Sequence, residues 1–334
     1  MSLILLAYCG TCAMEVNGED QIEFVAYGDW GKGTSDLQAT INSVATIVPD
    51  RDFVLLMGDN AYPAGFNSPT DPQFSVFRDI VADKVTYPHY LVLGNHDYMG
   101  DINAQIEFAK SEPRWILPSR YYKQMVESPG VSICLLVIDT VNFDSDQVTW
   151  LTTQLETPEC NTNNAWTIVS GHYPIWSSGT YRDSPELKAV LLPILHQFNV
   201  QLYLCGHEHH HEVFYDGKVV QVASGSSAVP NNPLQFQPHS QQIWGVSGKN
   251  TMGFIHLSSM TDSIIVRIVS SRSQKAFVEF TITRDGDRES MFGHIHWSYT
   301  DSNADAVIAD EDPGSHAAAT VTAYLAILAA VLYF

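Results

Sequence analysis

Eight polar residues stand at or just after glycines along the chain: Asp29, Asp59, Asn95, His96, Asp97, His172, His207 and His209. Their donors are carboxylate, amide and imidazole. That mixture suits iron, manganese and zinc, whereas soft thiophilic ions take cysteine, and no cysteine belongs to the set. Tyr62, three residues after Asp59, adds a phenol oxygen. A carboxylate shared by two cations holds them about 3.5–4 Å apart, the spacing that clamps attacking and leaving oxygens in phosphoryl hydrolysis. Any single Gly-Asp or Gly-His is an ordinary turn. The whole set, with members at five separate strand ends, is hard to explain as packing and points to one metal site.

Those residues need elements to deliver them. Apolar runs at 22–27, 53–57, 90–93, 133–138, 166–169 and 200–204 each end in a turn or polar residue, the pattern of buried strands. Helical patterns fill the gaps at 35–46, 74–82, 101–111, 145–156 and 184–198, with Asp36, Ser145 and Ser184 near N-cap positions. In an α/β sheet the carboxyl ends of the strands are where sites form. Past residue 219 the pattern turns strand-rich, at 219–223, 251–257, 263–270 and 276–283. The expectation is one α/β domain over 20–284, its sheets covered by helices.

Five ordered blocks carry a resemblance: Gly28-Asp29-Trp30-Gly31, Gly58-Asp59-Asn60-Ala61-Tyr62, Gly94-Asn95-His96-Asp97, Gly171-His172-Tyr173-Pro174 and Gly206-His207-Glu208-His209. They resemble those of the purple acid phosphatases, a branch of the calcineurin-like metallophosphoesterases. The early first block makes the chain similar to the small, mammalian-type, tartrate-resistant form. The resemblance implies two mixed β-sheets packed as a sandwich and flanked by helices. It also implies an acid phosphatase that hydrolyses phosphomonoesters by attack of a metal-bound hydroxide at a dinuclear Fe(III)–M(II) site. Asp29, Tyr62 and His209 are then ligands of ferric iron. Asn95, His172 and His207 are ligands of divalent Fe, Zn or Mn, and Asp59 bridges. Asn95, His96 and His172 face the substrate, and His96 protonates or hydrogen-bonds the leaving oxygen. Asp97 is read as orienting a neighbour. Glu208, His210 and His211 are read as surface or orienting residues.

The chain departs from the wider superfamily at Gly31, where a histidine ligand is common. Tyr62 replaces it, and a phenolate beside carboxylates favours a hard trivalent ion. It departs from small members of the family at Tyr181, nine residues after His172, where they often carry a second acid histidine. A tyrosine hydroxyl is a much weaker acid than imidazolium. Proton delivery then rests on His96 or on a histidine elsewhere, such as His239. The long exposed loop that precedes the 147–155 helix in the mammalian-type enzyme is also missing, so activation by cleavage there is not expected. Segments 64–74 and 230–248 are expected to shape the substrate. Two readings compete: a metal-dependent phosphodiesterase of the same superfamily, opposed by Tyr62, and an inactive surface binding module, opposed by the seven filled ligand positions.

The chain has 334 residues, 37 acidic and 17 basic, for a net charge of −20. Such a chain repels nucleic-acid backbones and anionic membrane surfaces, so no nucleic-acid partner is expected. An anionic phosphomonoester, small or on a phosphoprotein, remains compatible where cations invert the local field. Of five cysteines, Cys9 and Cys12 lie at the extreme N-terminus. Cys134, Cys160 and Cys205 allow one disulfide and one free thiol, in a pairing the spacing leaves open. Residues 1–13 are expected to be a signal peptide, with cleavage after Ala13. Residues 285–316 read as an acidic polar linker. The uncharged, apolar 317–334 reads as a glycolipid-anchor signal preceded by small Ser302, Asn303 and Ala304, with a membrane-anchor helix as the alternative. Together these imply a secretory-pathway protein, extracellular or held at the cell surface, touching membrane through that anchor alone.

Overall fold

The structure, a computed structural model, describes residues 14–15, 21–82, 85–161, 165–229, 234, 240–248, 250–284, 286–293, 296–297 and 306–309. The apolar runs become strands of two sheets. In the first, Gln21–Tyr27, Phe53–Leu56, His89–Leu91 and Trp115–Ile116 run parallel. Gly253–Met260, Ser263–Ser270, Ala276–Thr283 and His296–Trp297 continue it antiparallel beyond Gln21–Tyr27. In the second, Val131–Val137, Ala165–Ser170, Leu202–Cys205 and Val220–Ser224 form the parallel centre. His211–Tyr215, Gln242–Ser247 and Ala306–Ala309 extend one side, and Tyr122–Ser128 with Met14–Glu15 the other. The two sheets hold eight and nine strands among the described residues.

Strand periodicity explains the sandwich. Ile133, Leu135 and Val137 join Phe24, Leu55 and Ile255 in the core between the sheets. Their alternates, Cys134, Leu136 and Ile138, pack with Leu151, Leu155, Leu191 and Leu195 of the outer helices. Strands buried on both faces lack polar alternation, and so they read as unbroken apolar runs.

The helices follow the sequence pattern with shifted ends. Ser35–Ile47 is capped by Thr34 and Ser145–Leu155 by Asp144, each side chain accepting a backbone N–H of the first turn. Ile102–Phe108 is capped by Asp101. The 74–82 segment winds as a π-type turn over Val76–Val81. The helix expected over 184–198 is two, Pro185–Ala189 and Leu191–Gln197. Pro193 has no N–H for the Ala189 carbonyl, which ends the first helix and is tolerated in the opening turn of the second.

Cys134 and Cys160 are disulfide-bonded, and Cys205 is a buried free thiol. Within 285–316, expected as linker, Arg288–Phe292 is a helix that buries Met291 and Phe292, the latter against Tyr215 and Phe280. Packing thus continues past Thr283. The signal-peptide and anchor segments, 1–13 and 317–334, lie outside the described residues. Among the described residues no helix is long and apolar enough to cross a membrane.

Candidate metal centre

The parallel strands of both sheets end at one place. Gly28 follows Gln21–Tyr27 and Gly206 follows Leu202–Cys205, and these turns touch. A Cβ on Gly206 would lie 2.7 Å from Asp29 Oδ2 and 2.9 Å from the Met57 carbonyl. Only glycine permits that approach. Gly31 is tighter still, because a Cβ there would meet the Asn60 carbonyl carbon at 2.2 Å. No ligating side chain fits at that position. Asp29, Asp59 and His207 hold left-handed φ of 58°, 54° and 68°. Such backbone costs about 1–3 kcal/mol per residue and collects where side chains must be aimed.

The strand-end residues converge. The Tyr62 hydroxyl donates to Asp59 Oδ2 at 2.8 Å and to Asp29 Oδ1 at 3.1 Å, and lies 3.4 Å from His209 Nε2. His209 Nε2 is 3.2 Å from Asp29 Oδ1. On the other side His172 Nε2 is 3.4 Å from Asp59 Oδ1 and 3.1 Å from Asn95 Oδ1. The His207 ring stands edge-on to His172 at 5.1 Å, and its backbone N–H donates to Asp29 Oδ2 at 2.9 Å. Tyr62, Asp29 and His209 therefore form one group. His172, Asn95 and His207 form another, and Asp59 presents one oxygen to each.

The donor chemistry fits bound cations. Asp29, Asp59 and His172 are buried, and each offers a ligand atom within 4.8 Å of the others. Among the described residues no lysine or arginine pairs with either carboxylate; their charged neighbours are imidazoles. His172 Nδ1–H donates to the Met57 carbonyl at 2.8 Å, so Nε2 points its lone pair at two oxygens. A proton or a cation must sit among those three atoms. Burial raises the Asp59 carboxyl and the Asp29 charge adds to it, although His172 opposes. Burial acts the same way on Asp29, but the His209 hydrogen bond and the imidazole charges outweigh it and hold that carboxyl low. Burial lowers the basicity of His172, yet Asp59 and Asp29 more than restore it. His207 is pushed down to about 3 by burial and then by His172, which leaves the neutral, ligating form. Burial and both aspartates hold the Tyr62 phenol well above its usual range. A trivalent ion at this position would reverse that balance.

His96 sits at the rim. Its Nδ1–H donates to the Pro63 carbonyl at 2.6 Å, its backbone N–H donates to Asp59 Oδ1 at 2.9 Å, and its Nε2 is 3.9 Å from Asp59 Oδ2. Asp97 is buried and accepts from Gly94 N at 2.7 Å, Asn60 N at 3.0 Å and Gln105 Nε2 at 2.9 Å. It stitches the Asp59 and Asn95 turns together. Burial and Asp59 raise it to about 7. Glu208, His210 and His211 are fully buried, which corrects the surface alternative for them. The strand they lead into, His211–Tyr215, is buried on both faces, so neither direction offers them a surface. His239 lies outside the described residues.

Sequence reading passed over three groups. Thr140 Oγ1 accepts from His172 N at 3.0 Å and Tyr173 N at 2.8 Å, fixing the loop that presents His172. Asn60 bonds Trp30 Nε1, the Val92 carbonyl and Gln105 through its side chain. Asp139, the strand-end residue left out of the set, accepts from Tyr98 and from Arg120 at 3.2 Å, locking the turn after His96. Its position after the 133–138 run was the available signal.

The sequence profile of the calcineurin-like phosphoesterases matches residues 22–211. Tartrate-resistant acid phosphatase type 5 of Rattus norvegicus is 28% identical, over 82% of this chain and 93% of its own length. Purple acid phosphatase 17 of Arabidopsis thaliana is 31% identical, over 70% and 81% respectively. Among solved structures, GAP50, the anchor in the inner membrane complex of Plasmodium, superposes with a TM-score of 0.71 at 24% identity, covering 80% of this chain and 90% of that one. That likeness carries the fold.

Proposed function

The chain belongs to the calcineurin-like phosphoesterases and, within them, to the purple acid phosphatases, and from that premise we propose that it is a metal-dependent acid phosphatase acting on phosphomonoesters. The observation that carries the reading is Asp59, whose two oxygens face two separate donor groups, at 2.8 Å from Tyr62 and 3.4 Å from His172. Asp29, Tyr62 and His209, with Asp59, would hold ferric iron. Asn95, His172 and His207, with Asp59, would hold divalent iron, zinc or manganese. Bound cations would supply Lewis acidity to the phosphoryl oxygens and acidify the attacking water.

The chain's own residues do the rest. Buried Asp97 keeps the Asp59 and Asn95 turns in register. Thr140 fixes the His172 backbone and the Met57 carbonyl its ring, and the Pro63 carbonyl fixes His96 with Nε2 turned inward. His96 then donates a proton or hydrogen bond to the departing oxygen.

Metal analysis, a visible spectrum and hydrolysis of an aryl phosphate over roughly pH 4–8 test this together. The expected protein carries two metals per chain, is coloured by iron–phenolate charge transfer, and loses that colour in Tyr62→Phe. A metal-replete protein that hydrolyses no monoester in that range would sink the proposal. A matched aryl diester cleaved faster than the monoester would turn it into the diesterase reading.

A further inference from the structure

The loop after His172 has an unusual construction. Tyr181 stacks on the His207 ring with centroids 4.4 Å apart and planes at 27°, and Tyr173 meets the same imidazole edge-on at 4.5 Å. Yet Tyr181 remains 55% exposed, one of three large apolar side chains in that state among the described residues. Another, Met99, is three residues from His96. What marks Tyr181 is its place: a half-exposed aromatic face stacked on a candidate metal ligand is available to whatever binds beside that ligand.

The loop is pinned from beneath by a buried carboxylate. Glu208, between His207 and His209, is fully buried, and its Oε1 accepts from Ser177 Oγ at 2.8 Å and from Tyr181 N at 2.8 Å. Gly179 N donates to Ser177 Oγ at 2.8 Å. A Cβ on Gly179 would lie 2.4 Å from Glu208 Oε2, an oxygen with no hydrogen-bond partner among the described residues. Glu212 takes Ser178 in the same way, through both its N–H and its hydroxyl. The turn that aims two candidate ligands therefore also fixes the Tyr181 backbone, and a ring held before binding loses little entropy on contact.

We propose that Tyr181 is a specificity-determining residue, an aromatic wall beside His207 that favours phosphomonoesters with a flat aromatic leaving group, with Glu208 as its positioning residue. The inference rests on the phosphatase reading of the same site. One face of the ring is covered by His207, and more than half of the residue faces water. A planar group on a phosphate held beside His207 has that remaining surface to stack on, and offset stacking strengthens binding about three- to tenfold.

Phenylphosphonate and methylphosphonate separate this from turnover, because neither is hydrolysed. Their binding to the metal-loaded protein is measured by calorimetry, beside inorganic phosphate. The expected result is a preference for phenylphosphonate of about three- to tenfold, kept in Tyr181→Phe and lost in Tyr181→Ala and Tyr181→Leu, with phosphate affinity unchanged. Tyr181→Leu keeps apolar bulk without a π-face, and so controls for collapse of the loop. Glu208→Gln, which keeps an acceptor oxygen for Ser177 and Tyr181, retains the preference, and Glu208→Ala loses it. No preference in the native protein, or one that survives both Tyr181→Ala and Tyr181→Leu, overturns the inference while monoester hydrolysis still upholds the phosphatase. Loss of the preference in Tyr181→Phe also overturns it, by assigning the effect to the hydroxyl. Selective phosphonate binding through Tyr181 in a protein that hydrolyses no monoester would overturn the phosphatase and keep the wall.

Discussion

The Tyr62 hydroxyl lies 2.8 Å from Asp59 Oδ2, while Asp59 Oδ1 faces His172 at 3.4 Å. One carboxylate thus joins two donor groups. Asp59→Asn replaces one of those oxygens by an amide nitrogen, which donates and does not ligate. Metal content is expected to fall from two per chain to one or less, and kcat to drop at least about 10³-fold, equivalent to about 4 kcal/mol. Elemental analysis beside aryl phosphate kinetics checks this. A variant with two metals and a native rate would show that Asp59 does not bridge.

The strand-end residues were legible because their signal is local: an apolar run, a glycine, then a polar side chain. Their partners were not. Gln105 reaches Asp97 at 2.9 Å from a helix, and nothing in its neighbourhood marks it as buried. Glu208 sits in a turn crowded with histidines, and its burial comes from the distant loop of Ser177 and Tyr181 that packs over it. The Cys134–Cys160 pairing depends on a Cα separation of 5.2 Å set by tertiary packing. Arg288–Phe292 docks through two apolar side chains, too few to lift an acidic segment above a linker's composition. The 184–198 helix breaks because Pro193 has no N–H for the Ala189 carbonyl, a single backbone atom that the apolar period does not register.

A buried histidine far from the site sets a limit on acid stability. His89 is fully buried, and its ring packs edge-on to Phe77 at 5.1 Å. Burial, with Arg51 and Arg114 adding, pushes its imidazole down to about 3. The unfolded chain titrates near 6.5. Between those values the unfolded state binds the proton and the folded state does not. The stability present in full above about pH 6.5 therefore falls as pH drops toward 3, by about 1.4 kcal/mol per unit. His89→Leu removes this group. Urea melts at pH 6.5 and 4.5 are expected to show a loss smaller by about 2 kcal/mol in the variant. Parallel losses in both proteins would show that His89 is not responsible.

Cys134 and Cys160 close a sequence separation of 26 residues between the strand Val131–Val137 and the short turn Pro158–Cys160. Cross-linking a loop of that size restricts the unfolded chain by about 3 kcal/mol. Replacing both cysteines by alanine should lower unfolding stability by about that amount, with KM for an aryl phosphate unchanged, since neither residue approaches the site. Burial and then the Glu212 charge raise the Cys205 thiol well above its usual range. It should therefore resist alkylation until the protein unfolds. Labelling of Cys205 in the native protein, followed by mass spectrometry, would contradict that environment.

Of the two histidines named for proton delivery, His96 is the one among the described residues. Its Nδ1 is committed to the Pro63 carbonyl at 2.6 Å, which leaves Nε2 as the atom facing the site. Its side chain is 27% exposed, enough to exchange protons with water between turnovers. An acid matters in proportion to how poorly the departing oxygen bears charge. His96→Ala should therefore slow an alkyl phosphomonoester by about 10²–10⁴-fold. It should slow 4-nitrophenyl phosphate, whose leaving group needs no proton, by tenfold or less. The ratio of the two losses is the informative quantity. A general weakening of the metal centre lowers both rates together, whereas loss of a proton donor steepens the dependence of kcat on leaving-group pKa. Equal losses on both substrates would remove His96 from the acid role and leave it as a residue that holds Asp59 through its backbone N–H.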